Sequence, residues 1–261
     1  MPAQRAFRKT GSADKLVMFE AEIDGLAALR ATHTVRVPEA HGAGLTENGH
    51  AWIELEHLDL GSLDDRAGAR LGEQLAELHR STGELADATY GWPRDNFIGA
   101  TPQSNQSHRT WAGFFAAERL LPQLQMAARN GLPRLLREQG ERIAENLGAF
   151  FLDYRPLPSL LHGDLWSGNA GQLPDGTPVI FDPAVHRGDR ETDLAMAELF
   201  GGFPESFYAA YRASWPLDAG FETRKTLYNL YHVLNHYNMF GAGYLNQVRR
   251  MIERLAAELK G

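Results

Sequence analysis

One stretch constrains this chain more than any other: Leu160-Leu161-His162-Gly163-Asp164-Leu165-Trp166-Ser167-Gly168-Asn169, with Val179-Ile180-Phe181-Asp182-Pro183 shortly after it. An apolar run leads into Asp164, Asn169 closes the loop, and a Pro174-Asp175-Gly176 turn reverses the chain. A second apolar strand then ends on Asp182. The layout suits phosphoryl transfer, where positioning and charge neutralisation supply most of the catalysis. Asp164 is the candidate acceptor for the proton of an attacking hydroxyl. Asn169 and Asp182 are candidate Mg²⁺ ligands beside nucleotide phosphates, because this hard cation prefers oxygen and keeps several waters.

His-Gly-Asp alone is an ordinary turn; the joint occurrence of Asp164, Asn169 and Asp182 carries the signal. The pattern Asp-x4-Asn resembles the catalytic loop of protein kinases, with Asp182 where their Asp-Phe-Gly aspartate stands, here followed by Pro183 and Ala184. Gly163 replaces the arginine with which protein kinases read a phosphorylated activation loop. The motif therefore points to small-molecule kinases of the same fold. His162 reads as a packed, hydrogen-bonded histidine that orients the loop.

The 261 residues suffice for one large domain or two lobes sharing a cleft, with a substantial core. A formal charge of -7 argues against a nucleic-acid or acidic-membrane surface and is compatible with a cationic substrate. With no cysteine there is no disulfide framework, thiol nucleophile or Cys-ligated zinc. The first nine residues contain no apolar signal region, and no stretch approaches membrane-spanning length, so a cytoplasmic location is expected.

Along the chain, Ala6 to Thr10 reads as a strand and Gly11 to Leu16 as a loop. Helical spacing begins at Val17 and recurs at Phe19, Ile23, Leu26 and Leu29. Glu20 and Glu22 are both candidates to pair with Lys9, which could equally be a solvated surface lysine. Val35 to Pro38 enters a strand region, and Ala51 to Leu58 forms another strand running into a linker whose Glu56 and Leu58 offer backbone groups to adenine. Helices dominate after Asp59: Arg66 to His79, Trp111 to Arg129, Leu135 to Tyr154, Asp193 to Phe200, and most of Phe203 to Leu259 with breaks at Pro216 and around Gly241 and Gly243. His232 and His236 share a helix face as zinc ligands would, without an evident third ligand.

The chain resembles the fructosamine kinase family, relatives of aminoglycoside phosphotransferases and choline kinases, from about Phe7 to about Val248. The segments that carry the likeness include Asp95-Asn96-Phe97-Ile98-Gly99, Trp111-Ala112-Gly113-Phe114-Phe115, Leu161 to Asn169, Phe181-Asp182-Pro183-Ala184 and Asp189-Arg190-Glu191-Thr192-Asp193-Leu194-Ala195-Met196. Leu-Trp-Ser-Gly between Asp164 and Asn169 is the selective part. The resemblance implies an α+β, protein-kinase-like two-lobe fold, with a small N-terminal β-sheet lobe carrying one helix (1–58) and a larger, mainly helical C-terminal lobe (59–261). It implies ATP- and Mg²⁺-dependent phosphorylation of the O3 hydroxyl of small-molecule or protein-bound ketosamines, the sugar adducts of amines, a reaction associated with deglycation. In that frame Asp164 is the base, Asn169 and Asp182 hold the metal, and Lys9 with Glu22 forms the phosphate-binding ion pair. Asp193 resembles the helix aspartate that accepts backbone N–H bonds from the catalytic loop. Trp166 would lay its face on the sugar ring or close the loop as a core tryptophan.

The family places a glycine-containing strand-turn-strand ahead of the Lys9 strand, whereas eight residues precede Lys9 here. Two strands and a turn need on the order of 12 to 16 residues, so the N-terminal lobe reads as truncated: either the start is misassigned or the phosphate lid is missing. Two alternatives follow: an aminoglycoside- or choline-type phosphotransferase, and a nucleotide-binding protein with impaired catalysis.

Overall fold

The computed structural model describes residues 6–83 and 89–260. Strand β1 (Ala6–Gly11) is followed by helix α1 (Leu16–Ala31), then β2 (Ala40–Leu45) and β3 (Ala51–Glu56). The three strands form an antiparallel sheet in the order β1-β3-β2, with Lys9 opposite Ile53. Helix α1 buries Phe19, Glu22, Leu26 and Leu29, residues three or four apart that share one side of the helix. Val17 and Glu20 are exposed. The left-handed conformation of His33 (φ 56°) ends this helix, with its N–H donating to the Arg30 carbonyl.

Val35 to Pro38, read as the entry to a strand region, is itself outside the ladder, and pairing begins at β2. Val35 and Val37 are buried, and Arg36 makes only a single parallel bridge, to Val179, accepting the Ile180 N–H at 3.1 Å. The segment is thus a crossing strut joining the small sheet to the Asp182 hairpin. Its apolar residues are buried for that packing, not for a ladder.

Helix α2 (Asp65–Gly83) leads to the short hairpin β4 (Asn96–Ile98) and β5 (Thr101–Gln103). The helix expected over Trp111 to Arg129 is three joined pieces: α3 (Trp111–Phe114), a π-helical stretch Phe115–Leu120, and α4 (Leu121–Arg129). The π stretch places Arg119 inside the protein, donating to the Ser104 carbonyl at 2.7 Å and Asn105 Oδ1 at 2.6 Å, with its guanidinium 4.6 Å from the Phe114 ring centre. Helix α5 (Arg134–Glu145) stops before Asn146, and a 3₁₀ turn, Leu147–Phe151, replaces the continuation to Tyr154 that the spacing predicts. Strands β6 (Ser159–Leu161) and β9 (His186–Gly188) pair around the hairpin β7 (Ala170–Gln172) and β8 (Pro178–Ile180). Helices α6 (Glu191–Leu199), α7 (Glu205–Ser214), α8 (Phe221–Phe240) and α9 (Leu245–Glu258) complete the chain.

Two apolar clusters organise these elements. One gathers α3 to α5, α8 and α9 around Phe114, Phe115, Leu230 and Ile252. The other runs from Phe19, Leu29 and Ile53 of the sheet region through Leu71 and Leu75 of α2 to Leu165, Leu194 and Phe207. The loop and hairpin that hold Asp164 and Asp182 sit on this second cluster, so the site rests on continuous close-packed core. Among the described residues, no helix is long and apolar enough to cross a membrane.

A buried ion pair fastens α6 to α8: Arg224 Nε and Nη2 donate to the two Glu191 carboxylate oxygens at 2.7 and 2.9 Å, with side-chain exposures of 4% and 0%. Removing one member strands the other charge out of water. Arg224→Leu is expected to lower unfolding free energy in urea by about 3–5 kcal/mol, and the double substitution Glu191→Met/Arg224→Leu by distinctly less. Equal losses would show that the stranded charge is not the cause.

Candidate active site

Strand β6 delivers the chain into the loop that begins at His162. Gly163 adopts φ +82°, and a Cβ there would lie 2.1 Å from the Ala184 carbonyl oxygen, so the position admits glycine alone. Asp193, in the first turn of α6, accepts the His162 N–H at 2.7 Å on one oxygen and the Gly163 N–H at 2.8 Å on the other. His79 of α2 reaches the same carboxylate at 3.2 Å and Tyr211 of α7 at 2.9 Å. Burial alone would raise the Asp193 pKa; the hydrogen bonds from His79 and the Gly163 N–H outweigh it and hold the carboxyl below its ordinary value.

His162 is fully buried. Its Nε2 donates to the Phe181 carbonyl at 2.9 Å, which leaves Nδ1 to accept from the Asp164 N–H at 3.3 Å. Burial depresses its pKa, so it stays neutral and serves as a strut between the loop and the Asp182 hairpin. Asp164 is partly buried, and the Asn169 carboxamide donates to its carbonyl at 2.9 Å and its carboxylate at 3.2 Å. Burial first, then the nearby Asp182 charge, push the Asp164 pKa up to about 7.

The hairpin turn that follows forms at Leu173 to Thr177, where the Gly176 N–H donates to the Leu173 carbonyl at 2.8 Å. It returns the chain so that the Phe181 N–H meets the Asn169 carbonyl at 3.0 Å. The next residue, Asp182, is left-handed at φ +59°, a conformation costly for a residue with a side chain, and projects its carboxylate into the cleft. Lys9 Nζ bridges across, 2.8 Å from Asp182 Oδ1 and 3.0 and 3.1 Å from the two Glu22 oxygens. Burial opposes the lysine charge, but Glu22 and Asp182 together raise its pKa. Of the two candidate glutamates, Glu20 instead pairs with Arg94 at 2.7 Å.

Three adjoining cavities share these side chains. A phosphate-sized cleft of about 400 Å³ is lined by Lys9, Glu22, Asn96, Asp164, Asp182 and Pro183. Beyond Lys9 and Glu22 lies an apolar slot of about 330 Å³ between Phe7, Leu55, Leu60 and Phe181, edged by Glu56, His57 and Leu58. Glu56 N–H is occupied by the Glu39 carbonyl at 2.7 Å, and the Glu56 carboxylate takes both a 3.0 Å bond from the Glu39 N–H and the Arg36 guanidinium at 2.5 Å. Its carbonyl is therefore the group it can offer to a base. Asp164 and Gly99 also line a chamber of about 350 Å³, walled by Trp166, Met196, Phe200, His232, Asn235, His236, Met239 and Phe240 among others. Trp166 is 39% exposed and folds its ring over Gly168, where any Cβ would lie 2.2 Å from the indole. It is a wall of this chamber, not a core tryptophan.

Asn169 Oδ1 and the Asp182 carboxylate are hard oxygen donors, and among the described residues no cluster of three or more His, Asp or Glu could hold a metal by itself. Two protein oxygens with room for water and phosphate suit Mg²⁺. His232 and His236 do not form a metal site: His236 Nδ1 hydrogen-bonds the His232 carbonyl at 2.8 Å, and both rings face the chamber.

The fructosamine kinase family profile matches residues 2–258. The chain belongs to the fructosamine kinase family. A Synechocystis protein provisionally named a ketoamine kinase is 44% identical over 262 residues, covering 96% of this chain and 83% of the relative. A Haemophilus somnus crystal structure provisionally named fructosamine-3-kinase superposes with a TM-score of 0.87 at 31% identity, over 97% of this chain and 84% of that one. An amicoumacin kinase crystallised with AMP-PNP and Ca²⁺ shares the fold alone, at 14% identity and a TM-score of 0.61 over 97% of this chain and 82% of that one. As a member of this family the chain is a phosphotransferase with a protein-kinase-like fold, a small sheet lobe and a mostly helical remainder.

The loop and hairpin residues were legible from spacing, whereas the chamber beside Asp164 was not. Its walls come from β4, the loop, α6 and α8, and the local traces were Trp166 and the i, i+4 pair His232 and His236. For the loop itself, Gly163→Ala is expected to cost about 2–4 kcal/mol, combining left-handed strain with the carbonyl clash. A chemical-denaturation loss below 1 kcal/mol would contradict the Gly163 geometry; Gly168→Ala should displace Trp166 and quench or shift its fluorescence.

Proposed function

We propose that the protein transfers the γ-phosphoryl group of ATP to a sugar hydroxyl of a ketosamine, the O3 hydroxyl in the family pattern. One observation carries this reading: Asp164 forms the shared wall between the Lys9/Asp182 cleft and the aromatic chamber. A group in that position can touch an acceptor on one side and a phosphoryl group on the other. In this reading the chain divides at residues 58 and 59, and adenine lies in the apolar slot against the Glu56 carbonyl and the Leu58 N–H.

Asp164 in its ionised form accepts the proton of the attacking hydroxyl as the oxygen closes on the γ-phosphorus and the bond to the β,γ-bridging oxygen breaks, releasing ADP. Lys9, held by Glu22, offers its ammonium to the α- and β-phosphates, and leaves Asp182 for the metal when nucleotide enters. Asn169 Oδ1 and the Asp182 carboxylate would hold Mg²⁺, which would supply charge neutralisation for the phosphates. Trp166 presents its indole face to the sugar ring, where stacking fixes the ring's height above Asp164.

The direct test is ATP consumption with 1-deoxy-1-morpholinofructose. Asp164→Ala is expected to lower kcat by about 100- to 10,000-fold while leaving the KM for ATP within a few-fold; undiminished turnover would remove Asp164 as the base. The pH dependence follows from the raised carboxyl: the base works only deprotonated, so kcat/KM for the acceptor should be level above about 7 and fall about tenfold per pH unit below it. A profile flat down to pH 5 would contradict the assignment.

A further inference from the structure

The outer end of the aromatic chamber is built differently from its floor. His236 sits at the hub of a ring cluster, with centroids 4.9 Å from Phe200, 5.5 Å from Phe240 and 5.2 Å from Tyr244, and Trp166 joins through Phe200 at 6.5 Å. Phe200 is 43% and Phe240 63% exposed. Such a group of exposed rings beside a cavity is unfavourable in water unless something covers it. No lysine or arginine lines the chamber, and its one acidic group is Asp164.

The backbone adds to this electrostatic character. Phe200 is the C-cap of α6, and Phe240 is the last residue of α8. Two helix C-termini therefore end at the same rim, each with a partial negative charge, although Tyr208 and Asn130 donate to the Ala197 and Asn238 carbonyls of their last turns. Ring faces, carbonyl ends and a single carboxylate make a surface suited to a cation and ill suited to an anion.

We propose that Phe200, His236, Phe240 and Tyr244 form a cation-accepting rim that holds the protonated amine of the acceptor, a specificity role that rests on the ketosamine reading above. With the C3 hydroxyl at Asp164 and the ring on Trp166, the amine on C1 leaves the chamber past Phe200. The ammonium meets ring faces there, and the remainder of the amine substituent continues into solvent. The same surface disfavours acceptors that carry a carboxylate next to the nitrogen, because no lysine or arginine lines the chamber to pair with it.

The experiment compares two acceptor analogues on the full chain: 1-deoxy-1-butylaminofructose, a secondary ammonium, and its N-acetyl derivative, which is neutral and similar in shape. In the native protein the KM of the first should be about tenfold below the inhibition constant of the second. In Phe200→Leu/Phe240→Leu, which keeps apolar bulk but removes the ring faces, the KM of the ammonium should rise about tenfold, the change appearing in KM and not in kcat. The constant for the N-acetyl derivative should stay where it was. Phe200→Tyr/Phe240→Tyr keeps the rings and should retain the native KM, which separates loss of ring faces from loss of folding. Equal affinity of the native protein for both analogues, or equal weakening of both by the leucine variant, would overturn the rim's role. A native chain that consumes no ATP with any ketosamine would instead overturn the functional reading beneath it.

Discussion

The Asp193 carboxylate is the interaction on which the site depends. It is buried, so its charge survives only because two backbone N–H groups and His79 saturate it. Those N–H groups belong to His162 and Gly163, so the carboxylate fixes the backbone immediately before Asp164. Through His79 and Tyr211 the same charge is tied to α2 and α7, in the middle of the second apolar cluster. The loop thus inherits its position from the core, without relying on its own short length.

From that anchor the chemistry spreads in two directions. His162 carries it to the Phe181 carbonyl, and the left-handed Asp182 then turns its carboxylate toward Lys9. Lys9 spans carboxylates from α1 and the hairpin, so a single cation couples the small sheet to the loop region. The contact is partly open to water, with Lys9 at 29% and Asp182 at 51% side-chain exposure, so its net contribution to stability is modest. Its value is positional: the pair is made in the absence of nucleotide and can be exchanged for phosphate and metal. Asp164 lies between Asp182 and an apolar wall, and that is why its proton is held so late.

Much of the site was readable because it is local in sequence. Asp164, Asn169 and Asp182 lie within one loop and one hairpin, where spacing and turn residues fix geometry. Lys9 and Glu22 needed a helix face as well, and spacing alone left Glu20 equally eligible; burial of Glu22 and the Arg94 partner of Glu20 separate them. Strand β2 was misplaced because Ala-His-Gly-Ala-Gly-Leu lacks β-branched residues, and its pairing with β3 outweighs its weak intrinsic preference. Val35 to Pro38 looked more strand-like but is buried as a strut. The π-helical stretch at Phe115–Leu120 goes with the tertiary contacts of Arg119, and the stop before Asn146 with its side chain bonding back to the Arg142 carbonyl, neither of which periodicity reports. The aromatic chamber was the least legible part, since Gly99, Trp166, Phe200 and His236 meet only after the chain has folded.

The central claim is that Asp164 divides an acceptor chamber from a nucleotide cleft. A crystal structure of the full chain with Mg²⁺, a non-hydrolysable ATP analogue and a ketosamine examines it most directly. The account predicts an acceptor hydroxyl about 2.6–3.2 Å from the Asp164 carboxylate, with the terminal phosphate across from it on the Lys9 and Asp182 side. Sugar and triphosphate seated on the same side of Asp164, or a reacting hydroxyl held by some other group, would contradict it.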